Sequence, residues 1–220
     1  LGGYKSFANA VNDHGVVVGY STIPNAPHTD TRAFVHDGNE TDIMIDLGTL
    51  GGTASNANAI NNSGEIVGSS YTSSGVWHGF YAGRDRVMRD LGTLVPGTES
   101  FATAINDHGV IVGKSAGRAF RMGNQPGDEM QVLPSLAGGS IAYDINNSGY
   151  IVGAIYDAIS PMVPALWTPE GQLINLDELV REQYPEEYPH WILRTANSIS
   201  DSGLIVGSGL FDGYDEGEPA

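Results

Sequence analysis

The chain has 220 residues and carries 10 Lys and Arg against 26 Asp and Glu, which gives a formal net charge of −16. A phosphate backbone or an anionic lipid surface would repel a chain this acidic, so nucleic acid and membrane surfaces are poor partners. The sequence has no cysteine, which excludes disulfides, thiolate metal sites and a cysteine nucleophile. It also has no apolar run long enough to cross a membrane as a helix.

One pattern recurs five times along the chain: a small or polar residue, a β-branched residue, Asn, two polar residues, Gly, three mostly apolar residues and a second Gly. The copies occupy 10–19, 59–68, 104–113, 144–153 and 198–207, with Ser200 in the place of Asn in the last copy. The polar centre is typical of a tight reversal, because Gly accepts a positive φ and Asn or Asp bonds its own backbone. The sequence therefore predicts β-hairpins near residues 7–21, 57–70, 102–115, 142–154 and 196–209.

The turn residues themselves are assigned a structural role. They are Asn12, Gly15, Asn61, Gly64, Asn106, Gly109, Asn146, Gly149 and Gly203. Asp13 and His14 recur as Asp107 and His108, and oxygen-rich turns can hold Ca²⁺. Turn chemistry already explains these residues, and the Asn-Asn-Ser-Gly copies lack both the carboxylate and the imidazole.

Two further strand-like runs follow each of the first four hairpins. They lie at 32–36 and 42–47, 77–81 and 86–91, 118–122 and 130–133, and 164–167 and 172–176. Four strands in a repeat of about 40 to 54 residues are typical of propeller blades. We therefore predict one all-β domain over residues 1–220, a β-propeller of about five four-stranded blades with the last blade incomplete. We expect the two termini to close the ring, because Leu1-Gly2-Gly3 matches Leu50-Gly51-Gly52.

One segment departs from the repeat just before the last hairpin. Asn175 is a candidate N-cap, Asp177 and Glu178 follow in the first turn, and Pro185 comes after the last apolar position. These signals predict one short helix before the last blade.

Two motifs carry a resemblance to a known family. They are the hairpins of the Ala-Ile-Asn-Asp-x-Gly-x-Val-Val-Gly type and the phrase Asp46-Leu47-Gly48-Thr49-Leu50, repeated as Asp90-Leu91-Gly92-Thr93-Leu94. Together with the triplets at 32–34, 78–80 and 118–120, they resemble the HAF-repeat family of bacterial extracellular proteins. This resemblance implies secretion and a repeat architecture, and it brings no catalytic residues to this chain.

Four residues are candidate ligand contacts. Asp144 breaks the repeat, because other copies carry Ala or Ser there, and Tyr143 lies beside it. Trp77 and Trp167 occupy repeating third-strand positions, where an outward-facing ring could stack on a sugar and an inward-facing ring would pack between sheets. The acidic tail with Asp212, Asp215 and Glu216 is either a solvated loop or a calcium site, and no other cofactor is predicted.

These observations favour a secreted, non-catalytic binding or surface module that recognises glycan or another extracellular polymer. The first alternative is a carbohydrate-active enzyme using Asp144, although glycoside cleavage takes two facing carboxyl groups and the repeat supplies one. The second alternative is a structural subunit that assembles through exposed strand edges.

Overall fold

The computed structural model describes residues 1–25, 27, 29–38, 43–136, 138–156, 162–186, 188 and 190–211. Within them the chain forms five antiparallel sheets in sequence order. The first sheet contains β1 (Ser6–Val11), β2 (Val17–Thr22), β3 (Thr31–His36) and β4 (Ile45–Asp46), and the second contains β5 (Gly51–Ile60), β6 (Ile66–Thr72), β7 (Trp77–Ala82) and β8 (Met88–Asp90).

The remaining sheets continue the same order. The third contains β9 (Ser100–Ile105), β10 (Ile111–Ser115), β11 (Arg118–Met122) and β12 (Gln131–Val132), and the fourth contains β13 (Gly139–Ile145), β14 (Ile151–Tyr156), β15 (Val163–Trp167) and β16 (Leu173–Asn175). The fifth pairs β17 (Trp191–Ile199) with β18 (Ile205–Phe211). The prediction of an all-β chain built from four-stranded repeats is therefore confirmed for the first four units.

The helix α1 (Leu176–Gln183) lies between β16 and β17. Asn175 caps it as the sequence predicts, since its Oδ1 accepts from the backbone N–H groups of Asp177 and Glu178 at 3.0 and 3.2 Å. Asp177 also accepts hydrogen bonds from the Tyr188 hydroxyl at 2.8 Å and from the Leu193 N–H at 3.0 Å. The helix is thereby fixed to the start of the fifth sheet.

Each hairpin turn is closed by the side chain at its start, which is Asn in the first four units and Ser in the last. In the third unit the Asn106 Oδ1 accepts from the N–H groups of His108 and Val110 at 3.1 and 2.9 Å, and Gly109 adopts φ +76. In the last unit the Ser200 Oγ accepts from the Leu204 N–H at 3.0 Å. The turn therefore needs a side-chain acceptor at its first position and a glycine that tolerates positive φ.

The same Asn side chains also join each sheet to the next. Their Nδ2 groups donate to the backbone oxygen at the equivalent position of the following turn: Asn12 to Asn61 at 3.1 Å, Asn61 to Asn106 at 2.9 Å, Asn106 to Asn146 at 3.1 Å and Asn146 to Ser200 at 3.1 Å. The Asn side-chain oxygen thus accepts hydrogen bonds from its own turn, and the side-chain nitrogen donates one to the neighbouring sheet.

Every first strand contains a β-bulge at one equivalent position. The extra residues are Asn9, Asn58, Thr103, Tyr143 and Asn197. In the first three sheets this side chain donates to an Ala carbonyl of the next sheet at 2.8 Å. The bulge therefore forms a second line of hydrogen bonds between sheets.

The bulge explains the second glycine of the repeat. At Gly113 a Cβ would lie 2.0 Å from the carbonyl oxygen of Phe101, and the equivalent glycines meet the same obstacle at 1.9 to 2.0 Å. These glycines have ordinary φ values. Glycine is needed at these positions because two backbones approach closely, and not because the backbone conformation is unusual.

Buried serines connect the third strand of each of the first three sheets to the next sheet. The Ser100 Oγ accepts from the Gly79 N–H at 2.9 Å and donates to the Gly92 oxygen at 2.6 Å, and Ser55 makes the equivalent pair of bonds. The Leu-Gly-Thr-Leu phrase is the segment held in this way. Ser115, in the segment Gly113-Lys114-Ser115-Ala116-Gly117, is also fully buried and accepts from the Leu94 N–H at 3.0 Å, so its role is structural.

Four apolar clusters fill the junctions between consecutive sheets. Large side chains such as Phe80, Phe120 and Trp167 are completely buried in them, opposite small residues such as Ala57 and Ala102. The first strands of consecutive sheets lie beside one another, and each sheet packs its middle strands on the first strand of the next. Stability therefore arises mainly from neighbour-to-neighbour contacts, as in other repeat proteins.

Asn106→Ala is expected to lower the free energy of unfolding by about 2–4 kcal/mol, because the residue is buried and its loss leaves backbone groups unsatisfied. Asn106→Ser should lose about half as much, since Ser200 shows that a hydroxyl can close the turn, whereas the single hydroxyl lacks the separate amide nitrogen that Asn106 donates to Asn146. Urea denaturation of both variants measures this difference. Equal losses would contradict the two separate roles of the Asn amide.

Gly113→Ala is expected to destabilise the protein by at least about 3 kcal/mol, because the added methyl group meets a backbone oxygen that cannot move without disrupting the bulge. Gly117→Ala is the matched control: its site is open but has φ +79, so the cost should be about 1–2 kcal/mol. The midpoints of urea unfolding provide the comparison, and a reversed order would refute the role assigned to the bulge.

Candidate binding groove

A groove with both polar and apolar walls opens between the second and third sheets. It has a volume of about 600 Å³. Its walls are the segment after β7, strand β8 and the loop between β11 and β12. The lining residues are Tyr81, Gly83, Arg84, Asp85, Arg89, Asp90, Leu91, Met122, Gly123, Asn124, Gln125, Pro126, Gly127 and Asp128.

Glu65 holds the two walls of this groove together from behind. Its Oε1 accepts from the Tyr81 hydroxyl and from the Asn124 Nδ2, both at 2.7 Å, and its Oε2 accepts from the Asn61 Nδ2 at 2.7 Å. Tyr81 belongs to the second sheet and Asn124 to the third. One carboxylate therefore fixes the relative position of two side chains that face the groove.

Sequence reasoning missed Glu65, although a signal was present. The position after the turn glycine carries Val16, Val110, Tyr150 and Leu204 in the other units. An acid at a position that is otherwise apolar or aromatic marks a change of role.

Tyr81 is strongly affected by this arrangement. Burial and the hydrogen bond to Glu65 raise the pKa of Tyr81 to about 12. The hydroxyl therefore stays protonated at neutral pH and acts as a fixed donor to Glu65.

The rim of the groove is charged. Arg89 pairs with Asp85 four residues earlier, and the hydrogen bond from Arg89 holds the pKa of Asp85 below its usual value. Arg84 donates to the Ser63 oxygen at 2.9 Å, which ties the rim to the neighbouring turn. Guanidinium, carboxylate and amide groups thus lie side by side, an arrangement that suits a ligand with many hydroxyl groups.

The carboxylates in the groove are all engaged in loop contacts. Asp90 accepts from the Gly92 N–H at 2.7 Å and lies 2.9 Å from the His78 Nδ1, and Asp128 accepts from the Gln125 N–H at 2.9 Å. They shape the loops that form the walls.

Asp144 and Tyr143 lie away from this groove, at the junction of the fourth and fifth sheets. The Asp144 Oδ2 accepts from the Ser198 Oγ at 2.5 Å and from the Ile199 N–H at 2.9 Å, and its Oδ1 accepts from the Ile145 N–H at 2.9 Å. The carboxylate is therefore used to join two sheets. Tyr143 is the bulge residue of its strand, and burial raises the pKa of its hydroxyl.

The two predicted tryptophans have different environments. Trp167 is completely buried and its Nε1 donates to the Pro134 oxygen at 2.7 Å, so its ring belongs to the core and offers no surface to a ligand. Trp77 is half-buried, stacks on Tyr71 with ring centroids 4.1 Å apart, and lies 6.3 Å from the ring of Phe101. None of the four predicted contact residues lines the groove.

Within the described residues, no group of three His, Asp or Glu side chains is arranged to hold a metal ion. The predicted acidic candidates Asp212, Asp215 and Glu216 lie outside the described residues.

The second turn positions form a continuous polar row, the Asp/Asn row. Its members are Asp13, Asn62, Asp107, Asn147 and Asp201. Each backbone N–H donates to the Oδ1 of the next member at 2.8 to 3.0 Å.

Acid and amide side chains alternate along this row. Asn62 donates its Nδ2 to Asp13 and to Asp107, and Asn147 donates to Asp107 and to Asp201. The Asn62 N–H, together with the side-chain amides of Asn147 and Asn62, holds the pKa of Asp107 below its usual value. The alternation separates the carboxylates and explains the Asp/Asn variation without a metal.

Comparison with known proteins gives limited similarity. Residues 2–87 match the family described as "Protein of unknown function (DUF3466)". No curated protein matches the chain. The crystal structure of TolB from Acinetobacter baumannii is similar with a TM-score of 0.49 and 10% sequence identity, over 74% of this chain and 40% of that one. The chain thus spans less than half the length of that structure. In the described part of the chain, no helix is long and apolar enough to cross a bilayer.

Glu65→Gln is expected to lower the pKa of Tyr81 from about 12, because the negative charge disappears and the hydrogen bond then goes to a neutral amide oxygen, while burial still raises the pKa. In the wild type the raised pKa stabilises the fold fully below pH 10, and this contribution is lost as the pH rises toward 12. The free energy of unfolding of the variant should therefore depend less on pH between pH 10 and 12.

Carbon-13 NMR titration of labelled tyrosine, with Tyr81→Phe for assignment, measures this pKa. Tyr188 is an internal control, because burial and a hydrogen bond to Asp177 raise its pKa to about 12 independently of Glu65. An unchanged Tyr81 titration in Glu65→Gln would refute the assigned contact.

Proposed function

We propose that the protein is a non-catalytic binding module that acts outside the cell and recognises glycan or a similar hydroxyl-rich polymer in the groove between its second and third sheets. The sheets would act as blades of a β-propeller, and the groove would be one of the spaces between blades. The extracellular location rests on the resemblance to HAF-repeat proteins. The binding role rests on the groove.

One observation carries the proposal: Glu65 fixes Tyr81 and Asn124 on opposite walls through hydrogen bonds within the protein itself. A site that is already rigid loses little conformational entropy when it binds. The neighbouring rim supplies several donors and acceptors, which is the chemistry that sugar hydroxyl groups require.

Catalysis is less well supported than binding. Glycoside cleavage requires one carboxyl group that stays protonated near neutral pH and a second that faces the same bond. In the groove, Asp85 is held ionised by Arg89, and Asp90 and Asp128 accept hydrogen bonds that shape the loops. Asp144, the acid predicted to act in the enzyme alternative, accepts hydrogen bonds from the fifth sheet and so joins it to the fourth.

A glycan array followed by calorimetry with the best-bound oligosaccharide tests the proposal. Arg89→Ala is expected to weaken binding about tenfold or more, because a charged donor at the rim is lost. Arg118→Ala is the matched control, since it removes the same charge from an exposed position on β11 outside the groove lining. Its affinity should equal that of the wild type.

Trp77→Ala separates this site from the stacked aromatic residues outside the groove. It should leave binding unchanged, because Trp77 does not line the groove. Loss of binding in Trp77→Ala with full binding in Arg89→Ala would show that the binding site lies outside the groove. The absence of binding to any glycan on the array would reject the proposed ligand class.

A further inference from the structure

The outer faces of the first and last sheets are exposed where inner sheets are covered. Val11 is 63% exposed, whereas Ile60, Ile105 and Ile145 at its equivalent positions are 6 to 9% exposed. Those three isoleucines pack toward the preceding sheet. The first sheet has no preceding sheet among the described residues, so its Val11 face is left open.

The last sheet is exposed in the complementary way. Val206 is 55% exposed, whereas its equivalents in the other units are completely buried against the sheet that follows them: Val18, Val67, Val112 and Val152. The two exposed faces are therefore different. The Val11 face corresponds to the surface that packs on a preceding sheet in the inner units, and the Val206 face corresponds to the surface that packs on a following sheet.

The hydrogen bonds between turns are also incomplete at both ends. Among the described residues, no backbone N–H donates to the Asp13 Oδ1, and the Asp201 N–H has no acceptor in a following turn. Every inner member of the Asp/Asn row has both bonds. The two ends thus offer matching halves of a contact that occurs four times inside the chain.

Charge decides what can join these ends. Direct contact of Asp201 with Asp13 would place two carboxylates in adjacent positions of the row. Within the chain each carboxylate is instead flanked by Asn, whose Nδ2 donates to the acids on both sides. Adjacent like charges destabilise such pairs, so an amide-bearing unit fits between the two ends better than direct closure does.

We propose that the two end faces together bind one further sheet of the same repeat, and that its turn carries Asn at the second position. This sixth sheet would complete the ring in place of closure by the two termini alone. It would cover Val11 and Val206, donate its backbone N–H and Nδ2 to Asp13, and accept from the Asp201 N–H. The inference is independent of the ligand proposed for the groove.

The chain itself supplies a unit with which to test this. A copy of residues 51–93 placed directly before Leu1 recreates at the junction the phrase Asp-Leu-Gly-Thr-Leu-Gly-Gly found at 46–52. The extended chain should remain monomeric. Hydrogen exchange of the β1 and β18 amides should be slower than in the parent chain by about tenfold or more.

Two substitutions provide matched controls. Asn62→Asp in the added copy alone should melt about 2–4 °C lower than the extended chain with Asn, because three carboxylates then adjoin. Val11→Asp should leave the parent chain unchanged, since Val11 is exposed there. In the extended chain the same substitution should remove the protection of β1.

Three results would overturn the proposal. Equal exchange of β1 and β18 in the parent and extended chains would show that no sheet docks on these faces. Equal melting of the Asn and Asp copies would remove the requirement for an amide. Concentration-dependent dimers of the parent chain that protect β1 and β18 would make a second copy of this chain the occupant.

Discussion

The fold depends on one side chain used in two directions. The turn Asn accepts two backbone N–H groups of its own hairpin with Oδ1 and donates Nδ2 to the next hairpin, as Asn106 does toward Asn146. The same residue therefore sets the local reversal and the spacing between sheets. A serine carries only one hydroxyl group, and in the last unit Ser200 uses it to accept from the Leu204 N–H of its own turn.

Because the contacts run from each sheet to the next, the array has no single central core. Each junction has its own apolar cluster and its own set of hydrogen bonds. Such an array is stable in its middle and weak at its two ends unless the ends are covered. The exposure of Val11 and Val206 is the direct result of this additive construction.

Much of the fold could be predicted from the sequence, because turn chemistry and strand patterning are local. The hairpins, the four-strand units and the helix capped by Asn175 follow from short stretches of residues. The bulge could not be predicted, since it depends on how two strands pair. In the sequence, the bulge is marked only by the second glycine of the repeat. The reason for this glycine is seen only in the structure, where the Phe101 oxygen lies beside Gly113.

The candidate groove lies beside Glu65, a residue that departs from the repeat, and this relation has a physical cause. An apolar residue at position 65 would pack like Val110 and leave Tyr81 and Asn124 without a shared acceptor. Glu65 instead brings a carboxylate to the junction and accepts hydrogen bonds from both sheets. Asp144 is a second acid that departs from the repeat, because the other units carry Ala or Ser at its position. The Asp144 carboxylate accepts hydrogen bonds from the fifth sheet, whereas Glu65 positions Tyr81 and Asn124, which line the groove.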